Sequence, residues 1–165
     1  MTVSCIFSNI ADNCTYNNEA VTNNNIWQAF SAYGMLIDGK AVCEGYSRAM
    51  QLLSSYAGLQ CMLLTGQSNN VNHMWNVIKI NGNWYHLDIT WSDSSTLIYN
   101  YFNVDDAVIT QSHTIFPSAS TLTDSQIDGK AGGKATECNL TVPVCTATAD
   151  NYFKVKGIKV GSLDN

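Results

Sequence analysis

The feature that most constrains the fold is a pair of alternating apolar runs joined by Asn81-Gly82. The runs extend over roughly Asn72 to Ile80 and Asn83 to Trp91, and each alternates apolar and polar residues as a half-buried strand does. Asn-Gly suits the two positive φ angles of a type I′ turn, which matches the twist of a two-residue hairpin. The sequence therefore predicts an antiparallel hairpin.

The turn also predicts the register of this hairpin. If Ile80 lies opposite Asn83, residues whose numbers sum to 163 face each other, so that position 75 faces Asp88. His73 and position 75 point to the same face because side chains alternate along a strand. His73 and Asp88 are therefore diagonal neighbours on one face, close enough for a carboxylate to orient an imidazole.

A core helix is predicted before the hairpin, from Cys43 to about Tyr56. Gly58 stands where a helix commonly ends. Cys43 opens the helix, where unpaired backbone N–H groups and the positive end of the helix dipole favour a thiolate. With a strand at about 60–65, the predicted fold is α+β, a nucleophile helix packed on an antiparallel sheet.

The flanking segments carry weaker periodicity. The remaining predicted elements are helices at 3–11 and 26–33, a strand within 97–104, a short acidic helix near Asp105 and a terminal strand within 151–160.

Length and charge limit the number of domains and the kind of partner. With no repeat and no linker, residues 1–165 are predicted to form one domain, with a catalytic core at about 26–110. Charged residues make up 13% of the chain, about half the usual share of roughly 25%. The net charge of −5, without a basic run, argues against nucleic acid or an anionic membrane as a partner.

Location is predicted from the same composition. No segment approaches the roughly 18 apolar residues of a membrane span, and no signal peptide follows Met1. A low-charge, Asn-rich surface is common in secreted or cell-envelope modules. We therefore expect an excised extracellular or envelope domain, with a cytoplasmic location left open.

The cysteines show no regular disulfide spacing, and the chain is long enough to fold around an apolar core. Two pairings stay open, Cys138 with Cys145 and Cys5 with Cys14. Cys61 lies in an apolar run and is expected to be buried.

Three sequence blocks resemble the core of the transglutaminase-like family, in its bacterial type. They are G-K-A-V-C-E-G-Y at 39–46, H-M-W-N at 73–76 and W-Y-H-L-D-I-T-W at 84–91. Their order and separations are similar to those of the family. The resemblance covers about residues 30–105 and weakens outside them.

The resemblance implies a papain-like α+β fold in which Cys43 is the nucleophile, His73 the general base and Asp88 the residue that orients it. It implies a thiol acyl-transfer enzyme that acts on carboxamide or peptide bonds through a Cys43 thioester. The expected substrate is a protein or peptide, with cell-wall peptide as one candidate, and no cofactor is expected.

Alternatives remain within and outside this chemistry. An amine acceptor gives transglutamination, whereas water gives hydrolysis by a secreted cysteine peptidase or amidase. A protein- or glycan-binding module that retained the fold without activity is the alternative from another class. An arylamine N-acetyltransferase shares the Cys, His, Asp order but requires R-G-G-x-C, where this chain has G-K-A-V-C.

The surroundings of the site are predicted more loosely. The Cys43 backbone N–H is the expected first oxyanion donor, and Tyr33 is the candidate for the second. Trp75, Trp84 and Trp91 are expected to pack around the site.

A metal site is considered and not expected. His86 shares the strand face of Asp88, and with Cys43 and His73 the set suggests zinc, but no C-x-x-C or H-E-x-x-H spacing is present. Asp105-Asp106 suggests calcium, but it lacks a ligand-rich loop, and a pair at the start of a helix explains it better.

Overall fold

The computed structural model describes residues 2–23, 25–116 and 141–156. The strands are β1 (Thr15–Tyr16), β2 (Lys40–Ala41), β3 (Cys61–Ser68), β4 (Val71–Ile80), β5 (Asn83–Leu87), β6 (Phe102–Val104) and β7 (His113–Ile115). Strands β1 and β2 form a small parallel pair. The other five form an antiparallel sheet in the order β6-β5-β4-β3-β7.

Most of the helical residues precede the five-stranded sheet in the chain, and two short helices lie after β6 and β7, respectively. The helices are α1 (Val3–Asp12), a 3₁₀ helix (Trp27–Phe30), α2 (Ala32–Leu36), α3 (Cys43–Tyr56), α4 (Asp106–Ile109) and α5 (Tyr152–Val155). Helix α3 packs against β3 and β4. The predicted α+β fold, with the nucleophile helix on an antiparallel sheet, is confirmed.

Helix α3 begins and ends where the sequence predicts. At its end Gly58 has φ of +74°, the Gly58 amide donates to the Ser55 carbonyl, and the Leu59 amide donates to the Ser54 carbonyl. This pattern is a Schellman motif, in which a left-handed glycine satisfies the last carbonyls of a helix. At its start Val42 is the cap residue and offers no side-chain hydrogen bond.

Close packing holds the start of α3 in place. A Cβ atom at Gly45 would lie 2.5 Å from the Ala29 carbonyl oxygen and 2.8 Å from the Ala41 Cβ. Only glycine therefore lets the first turn of α3 approach the 3₁₀ helix and β2 this closely. The position of Cys43, two residues earlier, depends on this contact.

The hairpin has the predicted turn and register. Ile80 pairs with Asn83 and Asn76 with Leu87, and Asn81 and Gly82 both have positive φ. Strand β5 ends at Leu87 rather than at Trp91, because the chain then turns, with the Ser92 and Asp93 amides donating to the Ile89 carbonyl.

Strand β3 continues beyond the Gly66 at which the sequence predicts its end. A Cβ atom at Gly66 would overlap the Thr114 carbonyl and lie 2.7 Å from the Trp75 ring. The glycine thus marks a close approach of β7 and of an indole rather than a break.

Each face of the sheet is covered by apolar packing. One face packs on α1 and α3, and the buried residues there include Phe7, Ile10, Tyr46, Met50, Ile78, Tyr85 and Leu87. On the other face the buried residues are Leu64, Trp75, Val77, Val104, Ile109 and Cys145. The segment 141–150 therefore contributes to the core although its sequence shows no period.

Several peripheral predictions need correction. The predicted terminal strand at 151–160 is wrong over its described part, where α5 forms, and residues 157–160 lie outside the described residues. The predicted strand within 97–104 is only Phe102–Val104, and the helix at 26–33 divides into a 3₁₀ helix and α2.

Cys5 and Cys14 do not form a disulfide. Both thiols are free, with Cys5 exposed in the first turn of α1 and Cys14 buried just after the helix ends. Cys138 lies outside the described residues, so its pairing with Cys145 stays a prediction. Within the described ranges, no helix combines the length and apolar character that crossing a membrane requires.

Candidate active site

Cys43 is the first residue of α3 and is half-buried. Its backbone N–H belongs to the first turn, whose amides have no partner within the helix. The residue borders a cavity of about 460 Å³, together with Phe30, Glu44 and His73. Its thiol is therefore accessible at the positive end of a helix of 14 residues.

His73 and Asp88 meet as the hairpin register predicts. The His73 Nε2 lies 2.7 Å from the Asp88 Oδ2, and the two side chains are 7% and 1% exposed. The Cys43 side chain lies close enough to the His73 ring to raise the pKa of that ring. Because Nε2 is occupied by Asp88, the remaining nitrogen, Nδ1, is the one available to Cys43.

The charge of His73 is determined by opposing effects. Burial is the largest influence and lowers the pKa of this imidazole. The hydrogen bond to Asp88 and the proximity of Cys43, with the charges of these two groups, together outweigh burial and raise the pKa of His73 to about 9. The ring therefore carries its proton at neutral pH.

Asp88 is a fully buried carboxylate with three donors. Its Oδ2 accepts from His73 and from the His113 Nε2 at 3.0 Å, and its Oδ1 accepts from the Trp91 amide at 3.1 Å. Burial raises the pKa of Asp88, but the hydrogen bonds from His113 and His73 and their charges lower it below its ordinary value. The carboxylate is thus ionised without contact with water.

His113 also belongs to the site, although no local sequence pattern predicts it. It is buried on β7, whose only described partner is β3, with Ser68 opposite His113. Ser68 and His113 are 45 residues apart in the sequence. No local turn joins their strands, so the sequence alone does not predict the pairing. The one available signal was a histidine inside the short run S-H-T-I-F.

The structure does not bring Tyr33, the candidate for the second oxyanion donor, to the cavities beside His73. Tyr33 lies on α2 with 54% of its surface exposed. Tyr16, on β1, borders the second cavity beside His73 and lies close enough to Cys43 for that residue to influence the pKa of its phenol. Burial raises the pKa of the Tyr16 phenol, so it keeps its proton for donation.

Two of the three predicted tryptophans pack around the site. Trp75 stacks on the His73 ring with centroids 5.9 Å apart, and Trp91 lies edge-on to His73 at 6.5 Å. Trp84 does not belong to this group. It borders a separate cavity, and Lys79 lies 5.8 Å from its ring centroid.

The structure separates the four residues considered for zinc. His86 lies with Asp106 and Cys145, whereas His73 and Asp88 lie with His113. The Trp75 Nε1–H donates to the His86 Nδ1 at 3.1 Å, so the His86 proton is on Nε2, 2.8 Å from the Asp106 Oδ1. A metal bound to Nε2 would leave the His86 proton on Nδ1, where it would point at the Trp75 indole N–H. These residues therefore fit a chain of hydrogen bonds better than a metal site.

The group around Asp88 also fits hydrogen bonding. Both imidazoles direct Nε2 at one carboxylate oxygen, at 2.7 Å and 3.0 Å, which are ordinary N–H···O distances. Asp105 accepts from the Val108 amide and caps α4, which supports its interpretation as part of a helix-start pair rather than a calcium ligand.

Two cavities meet at His73. The first, of about 460 Å³, contains Cys43, and the second, of about 340 Å³, is bordered by Tyr16, Thr90 and Trp91. Asn72 and His73 border both. An extended chain could therefore lie on either side of the imidazole and pass over the thiol.

The charge of His73 predicts how stability depends on pH. The pKa of His73 is about 9 in the folded protein and roughly 6.5 in the unfolded chain. Folding therefore takes up a proton between these values, so the stabilisation is complete below about pH 6.5 and is lost as pH rises through 9. We expect about 3 kcal/mol of the unfolding free energy to be lost across this range.

Urea unfolding at pH 6 and pH 9.5, on wild-type protein and on His73→Gln, measures this loss. The variant should lose about 3 kcal/mol less than wild type over the same interval. Equal losses in both proteins would show that other groups cause the pH dependence.

Curated relatives match about half of this chain. Kyphoscoliosis peptidase of Homo sapiens is 30% identical over 108 aligned positions, which cover 52% of this chain and 16% of the human protein. Kyphoscoliosis peptidase of Mus musculus is 29% identical over the same number of positions, with the same coverage of both chains. The chain thus spans about a sixth of the length of these relatives.

A solved structure and a family sequence model also match this chain. A crystal structure of a TGase superposes with a TM-score of 0.51 at 19% identity, over 58% of this chain and 27% of the other, which is a likeness of fold. The sequence model that describes the transglutaminase-like superfamily matches residues 2–89, more than half of the chain. This match shows that the chain belongs to the transglutaminase-like superfamily.

Proposed function

We propose that the protein is a cysteine-dependent acyl-transfer enzyme acting on carboxamide or peptide bonds. The observation that carries this proposal is the 2.7 Å bond between the His73 Nε2 and Asp88, which leaves Nδ1 to the thiol at the start of α3. This is the arrangement of nucleophile, proton carrier and orienting group that thiol acyl transfer requires.

In the proposed first step, the Cys43 thiolate attacks the carbonyl carbon of the substrate. The carbonyl electron pair moves to oxygen and forms a tetrahedral oxyanion. As this intermediate collapses, the carbon–nitrogen bond breaks and the Nδ1 proton of His73 passes to the departing nitrogen. Ammonia or an amine leaves, and a Cys43 thioester remains.

In the second step, an acceptor attacks the thioester and gives a proton to the His73 Nδ1. The carbon–sulfur bond breaks, which restores the thiolate and the imidazolium. Asp88 keeps its negative charge throughout, accepts from Nε2–H and stabilises the positive ring.

The oxyanion is proposed to bind between two donors. The Cys43 backbone N–H has no partner within the helix, and the Tyr16 phenol lies beside the same backbone. A phenol that keeps its proton donates to a developing negative charge and supplies no competing charge of its own.

Hydrolysis is the second candidate, and it rests on relatives rather than on the triad. The two curated relatives are named as a peptidase, whereas the superposed structure is named as a TGase. Two cavities beside His73 give room for an extended peptide on one side and an acceptor on the other.

The decisive experiment tests, on wild-type protein, whether an amine or water accepts the acyl group and which cysteine thiol is most reactive. One assay follows incorporation of a fluorescent amine into a glutamine-containing protein, and another follows cleavage of peptides and cell-wall fragments. In parallel, limited iodoacetamide treatment followed by mass spectrometry ranks the cysteines by reactivity. Burial raises the pKa of Cys61 to about 12, so this half-buried thiol is the matched internal control.

We expect turnover in at least one assay, and alkylation of Cys43 at pH 7 that is about tenfold or more faster than that of Cys61. Amine incorporation without cleavage would favour transglutamination, and the opposite result would favour a peptidase or amidase. Inactivity in every assay, with equal alkylation of Cys43 and Cys61, would instead indicate a non-catalytic binding module.

A further inference from the structure

We propose that His113 is a positioning residue of this site, which fixes the orientation and the negative charge of Asp88 so that His73 stays aligned with Cys43. This inference rests on the proposed function, because it assigns a role within the proposed acyl-transfer site. His113 does not contact the thiol in our assignment and acts through the carboxylate alone.

Both imidazoles bond to the same carboxylate oxygen. The His113 Nε2 lies 3.0 Å from the Asp88 Oδ2, and the His73 Nε2 lies 2.7 Å from it. The Trp91 amide bonds to the other oxygen at 3.1 Å. Three donors from three directions define the plane of the carboxylate, and His113 is the one supplied by β7 at the edge of the sheet.

Burial makes each of these donors necessary. The side chains of His113 and Asp88 are 0% and 1% exposed, so water is not available to replace a lost hydrogen bond. A buried carboxylate with too few donors takes up a proton. Protonated Asp88 would no longer attract the Nε2–H of His73, and the ring would lose the partner that aims its Nδ1 at Cys43.

His113 is itself held in one orientation. Its Nδ1 lies 2.8 Å from the Ser112 Oγ, so each ring nitrogen has a partner. The rings of Trp75, Trp91 and Tyr101 lie edge-on around it, with centroids 5.1, 5.3 and 5.5 Å away. The aromatic cage and Ser112 thus direct Nε2 at Asp88.

The titratable groups around this arrangement are few among the described residues. Asp88 faces His73 on β4 and His113 on β7, and His73 faces Asp88 and Cys43. The His73 and His113 rings lie 5.5 Å apart. Both imidazoles bond to the same negatively charged oxygen of Asp88. Loss of His113 would therefore first remove a hydrogen bond from Asp88, and only through Asp88 would it affect His73.

Two amide variants separate positioning from packing. In His113→Gln the amide reaches the position of Nε2 and can donate to Asp88. In His113→Asn the amide reaches only the position of Nδ1, so it keeps a partner in Ser112 and loses Asp88. Both substitutes are polar and similar in volume, and near-UV circular dichroism establishes which samples are folded.

The measured quantities are the pH profile of kcat/KM and the pH profile of Cys43 alkylation by iodoacetamide. For His113→Asn we expect the acid limb of both profiles to move up by about one pH unit, because Asp88 becomes protonated more easily. We expect its kcat to fall roughly 10-fold to 100-fold with little change in KM, and His113→Gln to stay near wild type.

Other outcomes overturn the inference in identifiable ways. Equal shifts in both variants, or activity that falls only in proportion to the folded fraction, would mean that His113 has a packing role. A wild-type protein without turnover, whose Cys43 is no more reactive than Cys61, would reject the proposed function itself. These two failures therefore give different results.

A measurement on wild-type protein covers the case in which neither variant folds. NMR of protein labelled with ¹⁵N-histidine identifies which ring nitrogen of each histidine carries a proton. We expect His113 to carry a proton on Nε2 at pH 7, hydrogen-bonded to Asp88. An unprotonated His113 Nε2 would contradict the assigned bond directly.

Discussion

Replacement of Cys43 by alanine is expected to lower kcat/KM by at least about 10³-fold and to leave the fold intact. The side chain is half-buried at the first position of α3, where alanine is compatible with the helix. Without sulfur no thioester forms, and only substrate binding and the oxyanion donors remain to stabilise the transition state. Mass spectrometry of protein quenched during turnover should also lose the acyl adduct.

Cys61→Ala is the matched control for this variant. Cys61 is also half-buried, but burial raises its pKa to about 12, and it borders a different cavity from Cys43. We expect Cys61→Ala to lose stability with kcat unchanged at temperatures where it is folded. Full activity in Cys43→Ala would reject the thioester mechanism, whatever the behaviour of Cys61→Ala.

Replacement of Asp88 by asparagine has the second largest expected effect. We expect kcat to fall by roughly 10²-fold to 10⁴-fold, because an amide nitrogen turned towards the His73 Nε2 would favour the wrong tautomer. The same change removes the charge that raises the pKa of His73. The alkaline limb of the activity profile should therefore move down towards the ordinary histidine range of roughly 6.5.

Asp93→Asn tests whether such a loss is specific to the site. Asp93 also accepts a hydrogen bond from a buried ring, the Tyr46 phenol at 2.5 Å, but this contact lies on the α1 side of the sheet. We expect its kcat to stay within about threefold of wild type after correction for folded fraction. If Asp88→Asn and Asp93→Asn had equal effects on kcat, the orienting role of Asp88 would be wrong.

Several elements of the site could be predicted because their determinants are local. The Asn81-Gly82 turn sets the pairing of the residues on either side of it, and alternation then assigns His73 and Asp88 to one face. The helix from Cys43 to Tyr56 likewise ends through the backbone hydrogen bonds of Gly58 and Leu59, which follow it directly.

The position of Tyr16 beside Cys43 could not be predicted from local sequence patterns. Tyr16 belongs to a strand of two residues, whose parallel pairing with Ala41 brings it to the Cys43 backbone. In the sequence, an Asn-rich segment lies between Tyr16 and Cys43. Tyr33 is closer to Cys43 in sequence but lies on a helix with an exposed face. Proximity in sequence therefore does not indicate which tyrosine lies beside the Cys43 backbone.

The sequence by itself determined the α+β class, the position of Cys43 at a helix start and the face shared by His73 and Asp88, because turns, caps and alternation act over a few residues. Tertiary structure alone decided that His113 shares Asp88 with His73 and that Tyr16 contacts Cys43. The pairing of β7 with β3 depends on how tightly Gly66 and the Trp75 ring pack. Contacts of this kind arise from the shape of the whole core, for which no short segment of sequence carries the information.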